Sequence, residues 1–278
     1  MSETKRTGRL SLAIVHDLFH DDDADVRLRA VLAEARRRRA DLALLPELPL
    51  DPWIPAADDP CDDDAEPPGG PRHTRLAAAA QAAGIAVLAG AIVRDPETGR
   101  RTNRALVFDA CGKLVATYDK LHIPDEPGYR ERAHYEPGES PPAVVRGFGL
   151  PFGVQICSDL NRPSGCQLLC AAGASVILAP RATLEATYDR WRLVMRADAL
   201  TSACWLVSVN RPRSTTRGLS IGGPSVVVAP DGHVLHETED PLSLVELDAE
   251  AVDRARGEYP GYLDLPAEVY ARGWTQLC

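Results

Sequence analysis

The chain has no Cys-x-x-Cys pair, no unbroken apolar run of the ~20 residues that a spanning helix needs, and no surplus of basic residues. Each absence removes a class of protein. Seven cysteines, an odd number without paired spacing, do not read as a disulfide framework or a zinc ribbon and suit a reducing compartment. The segment Met1 to Arg9 is polar and lacks the apolar core of a signal peptide, so a soluble, cytoplasmic protein is expected, with no membrane partner. A net charge of -9 and a pI near 5.3 argue against nucleic acid, because a phosphate backbone is held by a concentrated excess of Lys and Arg. Arg36-Arg37-Arg38-Arg39 is the local exception. It closes a helix-like segment, where cations favour the negative end of the helix dipole, and reads as a solvated last turn.

With 278 residues and 45% hydrophobic composition, the chain can bury one large core, and no repeat or long linker divides it. We expect a flexible stretch at 1–9 and a single domain over 10–278. Strand-like runs occur at Leu10–Val15, Leu42–Leu45, Ile85–Ile92, Arg104–Asp109, Lys113–Tyr118, Gly153–Ile156, Val176–Ala179, Trp205–Val209, Ser225–Ala229 and Leu242–Leu247. Helical periodicity covers Asp25–Arg39, Arg72–Ala83, Pro163–Ala172 and Thr187–Ala203. Many strands with few helices between them predict an α/β protein in which helices cover one face of each sheet and two sheets pack through their bare faces. Ala110-Cys111-Gly112 and Pro230-Asp231-Gly232 signal hairpins, and the Pro- and Asp-rich stretch Asp58–Pro71 reads as a surface excursion too polar for an element.

Chemistry concentrates where apolar runs end. Cys157 follows Phe152–Ile156 and precedes Ser158, Asp159 and Pro163, where a helix can begin. Such a strand-to-helix turn presents a thiol at a sheet edge and lets the Ser158 N–H point at the same carbon as an oxyanion donor. Glu47 ends Leu42-Ala43-Leu44-Leu45-Pro46, and Lys120 ends Val115-Ala116-Thr117-Tyr118-Asp119. A carboxylate there is costly to desolvate unless paired, and a lysine beside it could stay charged in a dry pocket. Cys61, Cys111, Cys166, Cys170, Cys204 and Cys278 read as ordinary small apolar residues; Cys166 and Cys170 share a helix face, but with Leu168 and Leu169 beside them and no His nearby they suit core packing rather than metal.

Taken together, these segments resemble the nitrilase superfamily of carbon-nitrogen hydrolases. Its Glu-Lys-Cys triad matches Glu47, Lys120 and Cys157 in chain order. Its auxiliary glutamate matches Glu131, since the stretch from Lys120 (Lys-Leu-His-Ile-Pro-Asp-Glu-Pro-Gly-Tyr-Arg-Glu) is similar to the loop of N-carbamoylputrescine amidases; Glu126 is nearer but fits less well. The likeness runs from about Leu10 to Tyr270 and includes Val209-Asn210-Arg211, Gly223-Pro224-Ser225 and Ala229-Pro230-Asp231-Gly232. It implies a four-layer α-β-β-α sandwich, a homodimer or higher homo-oligomer formed through a helix face, and no metal or organic cofactor. It also implies a cysteine thioester mechanism on a small amide, with Glu47 as general base, Lys120 and the Ser158 N–H on the oxyanion, and Glu131 orienting Lys120 and the substrate. Departures occur at Pro163-Ser164, where the family has Pro-Glu, and at Ala199-Leu200-Thr201-Ser202, where it has Ala-x-Glu-Asn. His16 replaces a Gln in the first strand and reads as a polar core residue.

Cues to the substrate conflict. Arg162 and Arg181 suit a carboxylate tail, whereas Asp125, Glu126 and Glu136 suit an amine; each has a plainer reading as a paired or solvated charge, Arg162 with Asp159 or Glu185. Tyr188 and Trp191 read as core or interface residues. An acyltransferase using the same thioester, and a scaffold that keeps the fold without catalysis, remain as alternatives.

Overall fold

In the computed structural model, which describes residues 8–277, the first half of the chain folds as β1 (Arg9–Val15), α1 (Ala24–Arg37), β2 (Leu42–Leu44), α2 (Pro71–Ala83), β3 (Ala86–Arg94), β4 (Arg101–Phe108), β5 (Leu114–Asp119) and α3 (Glu131–His134). The second half adds β6 (Phe152–Val154), α4 (Ser164–Ala171), β7 (Val176–Arg181), α5 (Tyr188–Ser202), β8 (Trp205–Asn210), β9 (Ser214–Thr216), β10 (Leu219–Ile221), β11 (Ser225–Val228), β12 (Val234–Thr238), β13 (Leu242–Asp248), α6 (Ala249–Gly257) and α7 (Ala267–Thr275). One sheet is six-stranded in the order β13-β1-β2-β3-β4-β5 and the other five-stranded in the order β12-β11-β8-β7-β6. Within them β1, β2 and β3 are parallel, as are β6, β7 and β8; hairpin-joined strands flank each set antiparallel.

Side-chain alternation makes the layers. Leu12 and Ile14 of β1 join Leu42, Leu44, Phe152, Val154, Leu178 and Val207 in a core between the sheets. Ala13, Val15 and Ala43 face the opposite way, onto Leu28, Leu32 and Leu76 of α1 and α2. Ile177, Ala179 and Leu206 likewise face Leu169, Met195 and Ala199 of α4 and α5. Three apolar seams separate four layers, the α-β-β-α sandwich expected.

Several boundaries differ from the sequence reading. Residues 1–7 of the expected flexible stretch lie outside the described residues, but Arg9 already belongs to β1, paired with Asp248. The excursion at 58–71 is not wholly surface: Glu66 bridges alongside Val93, is buried, and its carboxylate accepts the Arg72 N–H at 2.7 Å, the His73 N–H at 2.9 Å and His73 Nδ1 at 2.6 Å. It caps the first turn of α2, which a proline-rich composition hides. Near the departures from the family pattern, Cys166 of α4 and Asp198 of α5 are both buried. His16 packs as expected, with Nδ1 2.9 Å from Ser225 Oγ. Burial drops its pKa to about 4, so the ring is neutral.

Candidate active site

The two sheets deliver their chain ends to one cleft. Beyond β2, Glu47 is buried; its Oε1 accepts Asn103 Nδ2 at 2.8 Å and Lys120 Nζ at 2.8 Å. The backbone there turns through Leu48 at φ 48° and is clamped from the other sheet, where Arg211 Nη1 donates to the carbonyls of Glu47 (2.9 Å) and Leu48 (2.7 Å) and Nη2 to that of Asp51 (2.8 Å). Lys120, fully buried past β5, also donates to Glu131 Oε2 at 2.5 Å, which Tyr135 OH supports. Burial works against the ammonium, but Glu131 and Glu47 outweigh it and hold the Lys120 pKa well above its ordinary value. Burial pushes Glu131 up to about 7, with Lys120 opposing and Glu47 adding to the rise.

Cys157 opens a 3-10 turn (Cys157–Asn161) at φ 47°, a left-handed conformation that a non-glycine residue adopts only when its surroundings impose it. Its sulfur lies 3.7 Å from the Ala182 carbonyl, and the thiol is pushed well up, by burial first and then by Glu47, with Lys120 opposing. A resting thiol therefore needs a base to become nucleophilic.

Asp159 holds the turn to the lysine loop. One oxygen accepts the N–H groups of Leu121 (3.1 Å) and His122 (2.9 Å) and His122 Nδ1 (2.8 Å); the other accepts Tyr118 OH (2.8 Å) and the Ile156 N–H (3.0 Å). Ser158 adds its hydroxyl, donated to the His122 carbonyl at 2.5 Å.

The cleft encloses about 240 Å³ and is lined by Cys157, Ser158 and Glu131 together with Tyr129, Thr183 and Trp191, among others. Tyr129 is buried and packs on Trp53 at 5.5 Å; burial, then Cys157 and Glu47, raise its pKa. Glu47 Oε2, Glu131 Oε1 and Tyr129 OH are buried without hydrogen-bond partners within the protein. Three polar atoms so placed are suited to a polar ligand. Gly128 shapes the rim: at φ 82°, a Cβ there would fall 1.8 Å from Leu219 Cδ1 of the β9–β10 hairpin.

The two arginines expected at the substrate sit elsewhere. β7 runs on through Arg181, and alternation puts residue 181 on the face of Ile177 and Ala179, toward α5. There its guanidinium is fully buried, donating to Ser208 Oγ (2.9 Å), Thr183 Oγ1 (2.5 Å) and the Pro224 carbonyl, beneath the Tyr188 ring. Arg162 is exposed and outside the cleft lining, and the acids suggested as its partners are engaged by others: Asp159 as above, Glu185 by Arg213. Among the acids, Asp125 lies 3.6 Å from Arg130 and Glu136 3.0 Å from Arg100, leaving Glu126 in the lining with Arg190. Trp191, read as a core or interface residue, packs against the core and also lines the cleft, whose mouth the first turn of α5 crosses. Tyr129 is legible in the Gly-Tyr-Arg-Glu segment only once its ring is known to turn inward; Thr183 and Asn161 carry no sequence signal.

The model of the carbon-nitrogen hydrolase family matches residues 26–257, and the chain belongs to that family, part of the nitrilase superfamily. A carbon-nitrogen hydrolase from Helicobacter pylori shares the fold with a TM-score of 0.85 at 21% identity, over 95% of this chain and 97% of that one. An amidase from Nesterenkonia sp. aligns with a TM-score of 0.75 at 26% identity, over 97% of each chain. In sequence the chain is 27% identical to an N-carbamoylputrescine amidase of Arabidopsis thaliana, over 60% of this chain and 62% of that protein. It spans about three fifths of the length of such curated relatives. No helix among the described residues is long and apolar enough to cross a membrane.

Proposed function

We propose that this chain hydrolyses a small linear amide or N-carbamoyl compound through a thioester on Cys157. The observation that carries the reading is Lys120 held between Glu47 and Glu131 at 2.8 and 2.5 Å, with Glu131 lining the same cleft as Cys157. Glu47 takes the thiol proton as the sulfur attacks the carbonyl carbon, and the C–S bond forms as the C=O electrons move onto oxygen. Lys120 and the Ser158 N–H stabilise that oxyanion. Glu47 then returns the proton to the departing nitrogen, so that ammonia or an amine leaves, and afterwards deprotonates the water that hydrolyses the thioester. Glu131 keeps Lys120 in place, and with Tyr129 OH contacts the amide. The Nesterenkonia amidase supports the cysteine's role by likeness: in a variant of it, acrylamide adds to the active-site cysteine. Glu126 and Arg190, both in the lining, favour a substrate with a polar far end.

A panel of carboxamides, carbamoyl compounds and nitriles assayed for ammonia tests this directly. Cys157→Ala is expected to abolish release while keeping the native circular dichroism; wild-type turnover by that variant would refute the nucleophile. An acyl adduct that decays only on adding an amine would point to acyl transfer instead. We further propose a homodimer, with Leu168, Leu193 and Leu200 exposed on α4 and α5 as the apolar helix face, tested by light scattering.

A further inference from the structure

Away from the cleft, the end of α4, the residue leading into β8 and the last turn of α6 bring two sulfurs against one cation. Cys170 is partly exposed and Cys204 fully buried. Arg256 Nη2, anchored on the Ala174 carbonyl, lies 4.0 Å from Cys170 Sγ and 3.8 Å from Cys204 Sγ. The Cys204 thiol also has the Ala174 carbonyl within reach at 3.1 Å. That carbonyl takes the Cys204 proton, and a fixed guanidinium nitrogen beside both sulfurs favours a thiolate at Cys170 over a metal ion. The neighbouring Cys204 foremost, with Arg256 and against partial burial, draws the Cys170 thiol down to about 6. Cys157 is shifted the opposite way.

We infer that Cys170 and Cys204 form a peroxide-reactive thiol pair, separate from the hydrolytic site, that closes reversibly into a disulfide. The Cys170 thiolate attacks one oxygen of a hydroperoxide; an S–O bond forms as the O–O bond breaks, and the departing oxygen takes a proton from solvent. The Cys204 sulfur then attacks the Cys170 sulfenic acid, losing its proton as the S–S bond forms and the sulfenic oxygen leaves as water. Two thiols lose two electrons, and the peroxide is reduced to water and an alcohol, or to two waters. The cross-link ties the last turn of α4 to the start of β8, and a small thiol reverses it.

Peptide-resolved mass spectrometry of the full chain tests the pair while following Cys157 separately. With limiting iodoacetamide at neutral pH, Cys170 is expected to label before Cys61 and Cys111, although those two are exposed. Arg256→Gln slows that labelling about tenfold and Arg256→Lys restores much of it. Hydrogen peroxide yields a linked Cys170–Cys204 peptide, and in Cys204→Ser it leaves a Cys170 sulfenic acid that dimedone traps. Labelling of Cys170 slower than that of Cys61 and Cys111, or no linked peptide after peroxide, overturns the inference.

Discussion

Two kinds of buried cation stand within this molecule. Lys120 is enclosed by two carboxylates and its charge is reinforced; Arg181 and Arg211 are buried as deeply, yet burial draws each down to about 10 and their donors go mainly to carbonyl and hydroxyl oxygens. An ammonium balanced by excess negative charge can answer a new negative charge on a substrate. A guanidinium spread over backbone carbonyls is committed to holding the chain, Arg211 under Glu47 and Arg181 under Thr183. Depth of burial thus says little about role; the partners decide it.

That contrast can be broken by exchange. The largest effect is expected from Lys120→Met, a loss of about 10³-fold or more in turnover with folding retained, since the vacated pocket can keep a proton on one carboxylate. Steady-state kinetics alongside urea unfolding would check it. Arg211→Met should strike stability first, by about 3 kcal/mol, because three buried carbonyls lose their donor; an unchanged urea midpoint would erase the distinction between the two cations. Next comes pH. Glu131 is raised from 4.5 to about 7, so the folded chain keeps a proton the unfolded chain has released. Its contribution therefore makes stability fall as pH climbs from about 4.5 to about 7, and Glu131→Gln should flatten that slope in urea titrations across the window. The smallest effect belongs to Tyr129→Phe. Its hydroxyl has no partner within the protein, so stability should hold within about 0.5 kcal/mol while kcat/KM drops about tenfold.

Much of this was readable beforehand because the reactive groups close apolar strands. Glu47, Lys120 and Cys157 each follow a run whose alternation fixes which way the next residues emerge, and apart from Lys5, Lys113 and Lys120 every basic side chain other than histidine is arginine, so a lysine at a strand end stands out. Arg181 was legible too, had the parity of β7 been counted through Pro180. Other features depend on tertiary contact that periodicity does not encode. The strands Ser214–Thr216 and Leu219–Ile221 are only three residues each, and α6 buries only Val252. Asp159 looked like a mere neighbour of the cysteine because its partners are some 40 positions upstream.

That single carboxylate has a wider meaning for the architecture of the proposed site. By clasping the Cys157 turn to the Lys120 loop, it gears together two pieces of chain that belong to different sheets. Neither half of the polypeptide carries Glu47, Lys120 and Cys157 together. Cutting the backbone in the stretch between them would leave two inert fragments, and competence would return only at the seam where they rejoin.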